Sequence, residues 1–137
     1  MLVDAGPLVS LCDRNQPTHV RCQAVLETSA VPVTSTWACF VEAMYLVGRI
    51  GGYPLQEHLW ALLNRGIMRF HEHSEIECRR MAELMQRYKN VPMDLADASL
   101  VAVAEASGDR TVFTLDSDFG VYRLADGGAF DVVPELA

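Results

Sequence analysis

Met1-Leu2-Val3-Asp4-Ala5-Gly6-Pro7-Leu8 opens the chain with a short apolar strand that stops on an acid, then turns at Gly6-Pro7 into a helix predicted to run through Cys12. The same ordering returns near the far end, where Thr111-Val112-Phe113-Thr114-Leu115 leads into Asp116-Ser117-Asp118-Phe119. Two apolar strands thus each carry a carboxylate at the carboxyl end. Between them, apolar runs of strand length alternate with helical patterns, the mark of a parallel sheet covered by helices. Met1–Val3 is expected to be a central strand.

Working outward, a helix is expected from about Thr18 to Glu27, capped by Thr18. Val31–Thr34 reads as a strand. Ser35 or Thr36 then caps a helix that contains Glu42 and ends in the Gly48–Gly52 region. Leu55, Leu59, Leu62 and Leu63 form one helical stripe, and Ile67–His71 reads as the next strand. Cys78, Met81, Ala82, Met85 and Tyr88 repeat at helical spacing as a core stripe, leaving Glu77, Arg79, Arg80, Glu83 and Arg87 on the wet face. Leu95–Ser107, opened by Asp94 and Asp97, is apolar nearly all round and should be buried against the sheet. Phe130–Val133 should be the last strand, at an edge.

The 137 residues have the length of a single domain, taken as 1–137, that can bury a core without disulfides or structural zinc. Half the residues are apolar, yet no uncharged apolar run approaches the about 20 residues of a membrane span. No basic n-region precedes the start. Val9-Ser10-Leu11-Cys12 is a poor lipoprotein signal, because Asp4 interrupts its apolar segment and Leu11 is too large before the cysteine. A cytoplasmic protein is expected. Cys12, Cys22, Cys39 and Cys78 form no Cys-x-x-Cys pair and read as reduced, buried residues in helices. His71 and His73 alternate along the predicted strand, but without a third nitrogen or sulfur ligand at suitable spacing they read as rim or edge residues.

A formal net charge of -7 argues against nonspecific nucleic-acid binding, which depends on neutralising Lys and Arg. It leaves a nuclease open. Two divalent ions would add four positive charges, bringing -7 to about -3 at the place where a phosphate binds. Ten of the eleven basic residues are Arg, which suits bidentate phosphate contacts and equally reflects a GC-rich coding sequence.

The acids decide the chemistry. Asp4, Glu42, Asp94, Asp97, Asp116 and Asp118 lie inside or beside the most apolar stretches, where an ionised group is costly unless paired or metal-bound. Each has an ordinary reading. Asp4 can bond the amides of the Gly6-Pro7 turn, Asp94 can cap its helix with Asp97 at N3, and Asp116 and Asp118 can both cap the short helix after them. Glu42 has the poorest such reading, because a capped helix gains nothing from a carboxylate in its apolar middle. Jointly the acids come from four segments that a parallel sheet brings to one rim, outside the carboxyl ends of its strands. Oxygen ligands without His or Cys select hard cations, so Mg²⁺ or Mn²⁺ is expected. Such ions polarise phosphoryl oxygens and generate hydroxide at neutral pH, which points to phosphodiester hydrolysis. No Gly-rich phosphate loop and no Ser, His and Asp triad is evident.

At these residues the chain resembles the PIN-domain family, particularly the VapC-type ribonuclease toxins of bacterial toxin-antitoxin systems. Its carriers are Val3-Asp4-Ala5-Gly6-Pro7-Leu8, Glu42, Pro92-Met93-Asp94-Leu95-Ala96-Asp97-Ala98 and Thr114-Leu115-Asp116-Ser117-Asp118-Phe119, so it covers nearly the whole chain. The resemblance implies an α/β fold, a three-layer α/β/α sandwich around a central parallel sheet. It further implies Mg²⁺ or Mn²⁺ bound by Asp4, Glu42, Asp97 and Asp116, with Asp118 assisting and Thr114 contacting metal-bound water or substrate. Asp94 is expected at the pocket rim as a cap. Many relatives carry Thr or Ser directly after the first Asp, where this chain has Ala5, which bears on rate or substrate preference. Also implied are an RNA substrate such as transfer RNA, a homodimer, and a small antitoxin covering the acidic pocket. Arg residues near the rim are expected to position the RNA. Two other readings stay open: a PIN-like domain that binds RNA or protein without cutting, and an aspartate-nucleophile phosphatase of the haloacid dehalogenase type. The latter layout puts an Asp-x-Asp pair after the first strand, where this chain has Asp4-Ala5-Gly6.

Overall fold

The computed structural model describes residues 1–135. Strands β1 (Leu2–Val3), β2 (Val33–Ser35), β3 (Met68–Phe70), β4 (Thr111–Phe113) and β5 (Asp131–Val133) form one parallel sheet in the order β3-β2-β1-β4-β5. The opening strand is central, as expected, and the last lies at an edge. Although β1 has only two residues, backbone bonds carry its pairing further: Asp4 N donates to Phe113 O at 2.9 Å, and Thr34 N to Met1 O at 3.0 Å.

Among the described residues six α-helices cover the sheet: α1 (Ala5–Cys12), α2 (His19–Glu27), α3 (Trp37–Gly51), α4 (Tyr53–Asn64), α5 (Glu75–Arg87) and α6 (Leu95–Ser107). Because side chains alternate faces along a strand, Leu2 and Val112 enter one core with Leu84 of α5 and Leu100 of α6. Val3 and Phe113 point the other way and pack with Leu8 of α1, Phe40 of α3 and Leu59 of α4. The result is the expected three-layer α/β/α sandwich. The near-continuous burial of Ala96–Ala104 explains why α6 carries almost no polar side chain in its middle. Gly52, at φ +69°, ends α3 and starts α4 at once, a backbone conformation that a side chain would strain.

Several boundaries and packing expectations need correction. β2 starts at Val33 rather than Val31, and β3 stops at Phe70, leaving His71 and His73 in the connection to α5. Thr18 stands before α2 but does not cap it, since its hydroxyl is instead 2.5 Å from Ser10 Oγ. Cys12, Cys22 and Cys39 are buried, but Cys78 is exposed. Only Met81 and Leu84 of α5 are fully in the core, while Cys78 and Ala82 lie along an open cleft. Glu77 is not on the wet face: its side chain is 17% exposed and meets His71. Among the described residues, no helix is long and apolar enough to cross a membrane.

The topology fixes where a ligand can bind. The chain leaves β1 toward β2 through α1 and α2, whereas β4 is followed by β5 on the opposite side. The crevice between the carboxyl ends of β1 and β4 is therefore a switch point, the usual ligand position in an open parallel sheet.

Candidate functional site

Register places the first carboxylate. Val3 pairs with Phe113, so the residues that follow, Asp4 and Thr114, emerge side by side. Thr114 Oγ1 donates to Asp4 Oδ2 at 2.8 Å and accepts from Asp116 N at 3.0 Å. Asp4 Oδ1 accepts from Ala5 N at 2.7 Å, which makes Asp4 the N-cap of α1. The turn bond thus comes from Ala5 rather than Gly6. With its hydroxyl engaged on both sides and fully buried, Thr114 acts here by positioning Asp4 and Asp116.

Asp97 stands in the first turn of α6 and is buried. Its backbone N–H donates to Asp94 Oδ1 at 2.8 Å, so Asp94 is the helix cap that its spacing suggests. Tyr122 donates its phenol O–H to Asp97 Oδ2 at 2.6 Å. Glu42 is half-buried, well inside α3. The start of that helix is pinned to α6, because Thr36 caps it through Cys39 N at 3.2 Å while Thr36 Oγ1 lies 2.6 Å from Ser99 Oγ. This contact fixes Glu42 relative to Asp97. Asp116 caps the 3₁₀ turn Ser117–Gly120 by accepting from Asp118 N at 2.9 Å. Asp118 makes no such cap.

Asp4, Glu42, Asp94, Asp97 and Asp116 line one pocket of about 430 Å³, with Ala5, Gly6, Leu46, Leu115 and Ser117 completing its wall. Asp118 and Thr114 do not line it. Among the described residues no Arg or Lys does either, so the expectation of arginines at the rim finds no support in the pocket wall. None of the five acids has a salt-bridge partner among the described residues. Electrostatics records the crowding. Burial pushes the Asp97 carboxyl up to about 7, against the Tyr122 hydrogen bond, and repulsion from Asp94, Asp4 and Asp116 adds to it. Asp4 is raised chiefly by burial, despite its bonds from Thr114 and Ala5, with Asp116 and Asp94 contributing. Burial, then Asp94, Asp4 and Asp116, raise Glu42 in the same direction. Asp118 is raised by burial and by Asp116 and Asp94.

An all-oxygen donor set with uncompensated negative charge fits a hard divalent cation. Asp4, Glu42, Asp97 and Asp116, which line the same pocket, would hold it. Among the described residues, the only trio of ligand atoms within 4.8 Å of one another lies elsewhere, at His71, His73 and Glu77. Sequence reasoning missed Tyr122, for which the signal is weak: a buried tyrosine hydroxyl needs a partner, but nothing local names Asp97. Beside the acidic pocket runs a larger apolar cleft of about 740 Å³ that shares Glu42 and Asp94 and includes Trp37, Val41 and Met85.

Comparison with known proteins shows the family and the fold. Ribonuclease VapC26 of Mycobacterium tuberculosis is 26% identical over 135 residues, spanning 98% of this chain and all of that protein. The crystal structure of Mycobacterium tuberculosis VapC20, a sarcin-ricin loop cleaving toxin, superposes with a TM-score of 0.80 at 17% identity, covering 88% of this chain and 92% of that one. Residues 1–124 match the PIN domain, and the chain belongs to that family.

Proposed function

We propose that this protein is a divalent-metal-dependent endoribonuclease and the toxin of a type II toxin-antitoxin pair. The observation that carries the reading is the convergence of Asp4, Glu42, Asp97 and Asp116, from four separate segments, on one pocket whose wall contains no basic side chain. A relative that matches end to end is named a ribonuclease, which supports the same activity. A solved neighbour of the same fold is described as cleaving the sarcin-ricin loop, which favours a structured RNA, ribosomal or transfer, as substrate.

When bound, Mg²⁺ or Mn²⁺ supplies Lewis-acid polarisation of the phosphate and a water acidic enough to attack at neutral pH. The chain's own part is to hold the acceptors. Asp4 is fixed from both sides by Ala5 N–H and Thr114 O–H, and Asp97 is fixed by Tyr122. Glu42 comes from α3, a helix anchored by Thr36. Asp118 would assist from the end of the 3₁₀ turn, and Asp94 would shape the rim as a cap. Ala5 occupies the pocket wall without a hydroxyl, so position 5 supplies no side-chain hydroxyl contact. The working unit is residues 1–137 acting in the cytoplasm as a homodimer, silenced by a small antitoxin over the pocket.

Asp4→Asn and Asp97→Asn should each keep the far-UV circular dichroism of the parent and abolish Mn²⁺-dependent cleavage of total RNA. Full cleavage by both purified variants would sink the assignment. Sequencing the RNA ends left by the parent protein identifies the target.

A further inference from the structure

His71, His73 and Glu77 form a compact cluster away from the acidic pocket. His71 and His73 sit in the connection after β3, and Glu77 follows in the first turn of α5. His71 Nε2 is 2.6 Å from Glu77 Oε1, and His73 Nδ1 is 3.4 Å from the same oxygen. The three ligand atoms all lie within 4.8 Å of one another. Two donors at tetrahedral positions about 2.1 Å from a zinc ion are about 3.4 Å apart, so the His73–Glu77 separation already suits such an ion and the His71–Glu77 separation needs to open.

Two further observations point to a ligand. Both ring nitrogens of His73 are buried, and neither has a hydrogen-bond partner, although Glu77 is close. Buried polar atoms are nearly always satisfied, so an imidazole orphaned at both nitrogens asks for something its protein neighbours do not give. Glu77 is also pre-oriented. Its Oε2 accepts from Ser74 N at 2.9 Å in a capping box, which leaves Oε1 turned to both histidines. Such outer bonds are what hold metal ligands in place.

We propose that His71, His73 and Glu77 bind a borderline divalent cation of the zinc class, at a site separate from the acidic pocket. Two imidazoles and one carboxylate suit Zn²⁺, whereas the oxygen-only acidic pocket suits Mg²⁺ or Mn²⁺. Three protein ligands leave the fourth position to water. The ion would tie the connection after β3 to the first turn of α5, and so fix the wall of the apolar cleft to which His73 and Cys78 belong.

The test is calorimetric titration of ZnCl₂ into the full chain, stripped with EDTA and desalted, for the parent, His73→Ala, His71→Ala and Asp97→Asn. His73 takes no part in the capping box, so its replacement leaves the α5 start intact. The expected result is one zinc per chain in the parent and in Asp97→Asn, weakened at least about tenfold in both histidine variants, a loss that even an outer-shell change can cause. Cobalt substitution should give the visible bands of a four-coordinate site in the parent, absent from His73→Ala. Unchanged zinc binding in His73→Ala overturns the proposal, as does zinc binding lost in Asp97→Asn alone, which would assign the ion to the acidic pocket. Failure here leaves the nuclease reading untouched, because that rests on RNA cleavage by other residues.

Discussion

Tyr122 and Asp97 meet across a buried 2.6 Å hydrogen bond, with the phenol donating to Oδ2 of a carboxylate that, among the described residues, no cationic side chain approaches as a salt-bridge partner. Burial and the neighbouring acids push the Asp97 carboxyl up to about 7, and this bond works against them. Tyr122→Phe should therefore raise the carboxyl further. At limiting Mn²⁺, where the ion competes with the proton for the ionised carboxylate, cleavage should shift its rising limb to higher pH while KM for RNA changes little. A hydrogen bond to a charged group contributes about 1.5–3 kcal/mol, which sets the expected stability loss where Asp97 is ionised. A pH–rate profile identical to that of the parent would show that the phenol does not govern Asp97.

The metal-free protein should lose stability as pH rises. A carboxyl whose folded value is about 7, against an ordinary 3.8, holds its proton more tightly when folded, so between those values the folded state binds more protons than the unfolded one. The contribution is most favourable below about 3.8, falls through the window up to about 7, and is flat above it. Asp4 and Glu42 shift in the same direction and steepen the decline. Thermal melts in EDTA at pH 5 and pH 8 should thus show a lower Tm at the higher pH. Added Mg²⁺ should raise Tm much more at pH 8 than at pH 5, and Asp97→Asn in EDTA should flatten the slope.

How much of this was legible in the sequence depends on the range of the interaction. Asp4 and Asp116 announce themselves because each ends an apolar run, and strand register then brings Asp4 beside Thr114. Asp94 could be read as a cap from local spacing alone. Tyr122 could not be read, since its partner is 25 residues away on another element. The histidine trio was half legible. The alternation of His71 and His73 is visible in the sequence, but no nitrogen or sulfur donor accompanies them at ligand spacing, and helical periodicity puts Glu77 on the wet face. That periodicity holds for the middle of α5 and fails in its first turn, where the capping box draws Glu77 back toward the preceding connection. Cys78 fails for a related reason, lying on the cleft side rather than in the core.

Thr114 offers a separate test of positioning. Replacing it with Val keeps the volume but removes the donor to Asp4 and the acceptor for Asp116 N–H. Mn²⁺ affinity should fall about 10–100-fold, the usual effect of losing an outer-shell partner, with a stability loss of about 1–3 kcal/mol for the unsatisfied buried groups. Calorimetric titration with Mn²⁺ reads the first and denaturant melts the second. Excess Mn²⁺ should restore much of the cleavage, because the ligands themselves remain. A variant that stays inactive at saturating Mn²⁺ would mean that Thr114 does more than orient.

Asp94 and Asp97, one helical turn apart, should separate cleanly on substitution. Asn caps a helix about as well as Asp, so Asp94→Asn should preserve stability and keep most of the activity, whereas Asp94→Ala should cost about 1 kcal/mol. Asp97→Asn removes a buried charge that shares its pocket with Asp4, Glu42 and Asp116, and keeps the amide that Asp94 receives. It should abolish cleavage and Mn²⁺ binding in the acidic pocket while leaving the EDTA-treated protein at least as stable as the parent at pH 8, since repulsion in the pocket is relieved. The decisive comparison is Mn²⁺ titration of the two Asn variants side by side. If Asp94→Asn loses the ion as fully as Asp97→Asn, Asp94 is a ligand and the division between cap and metal site has to be redrawn.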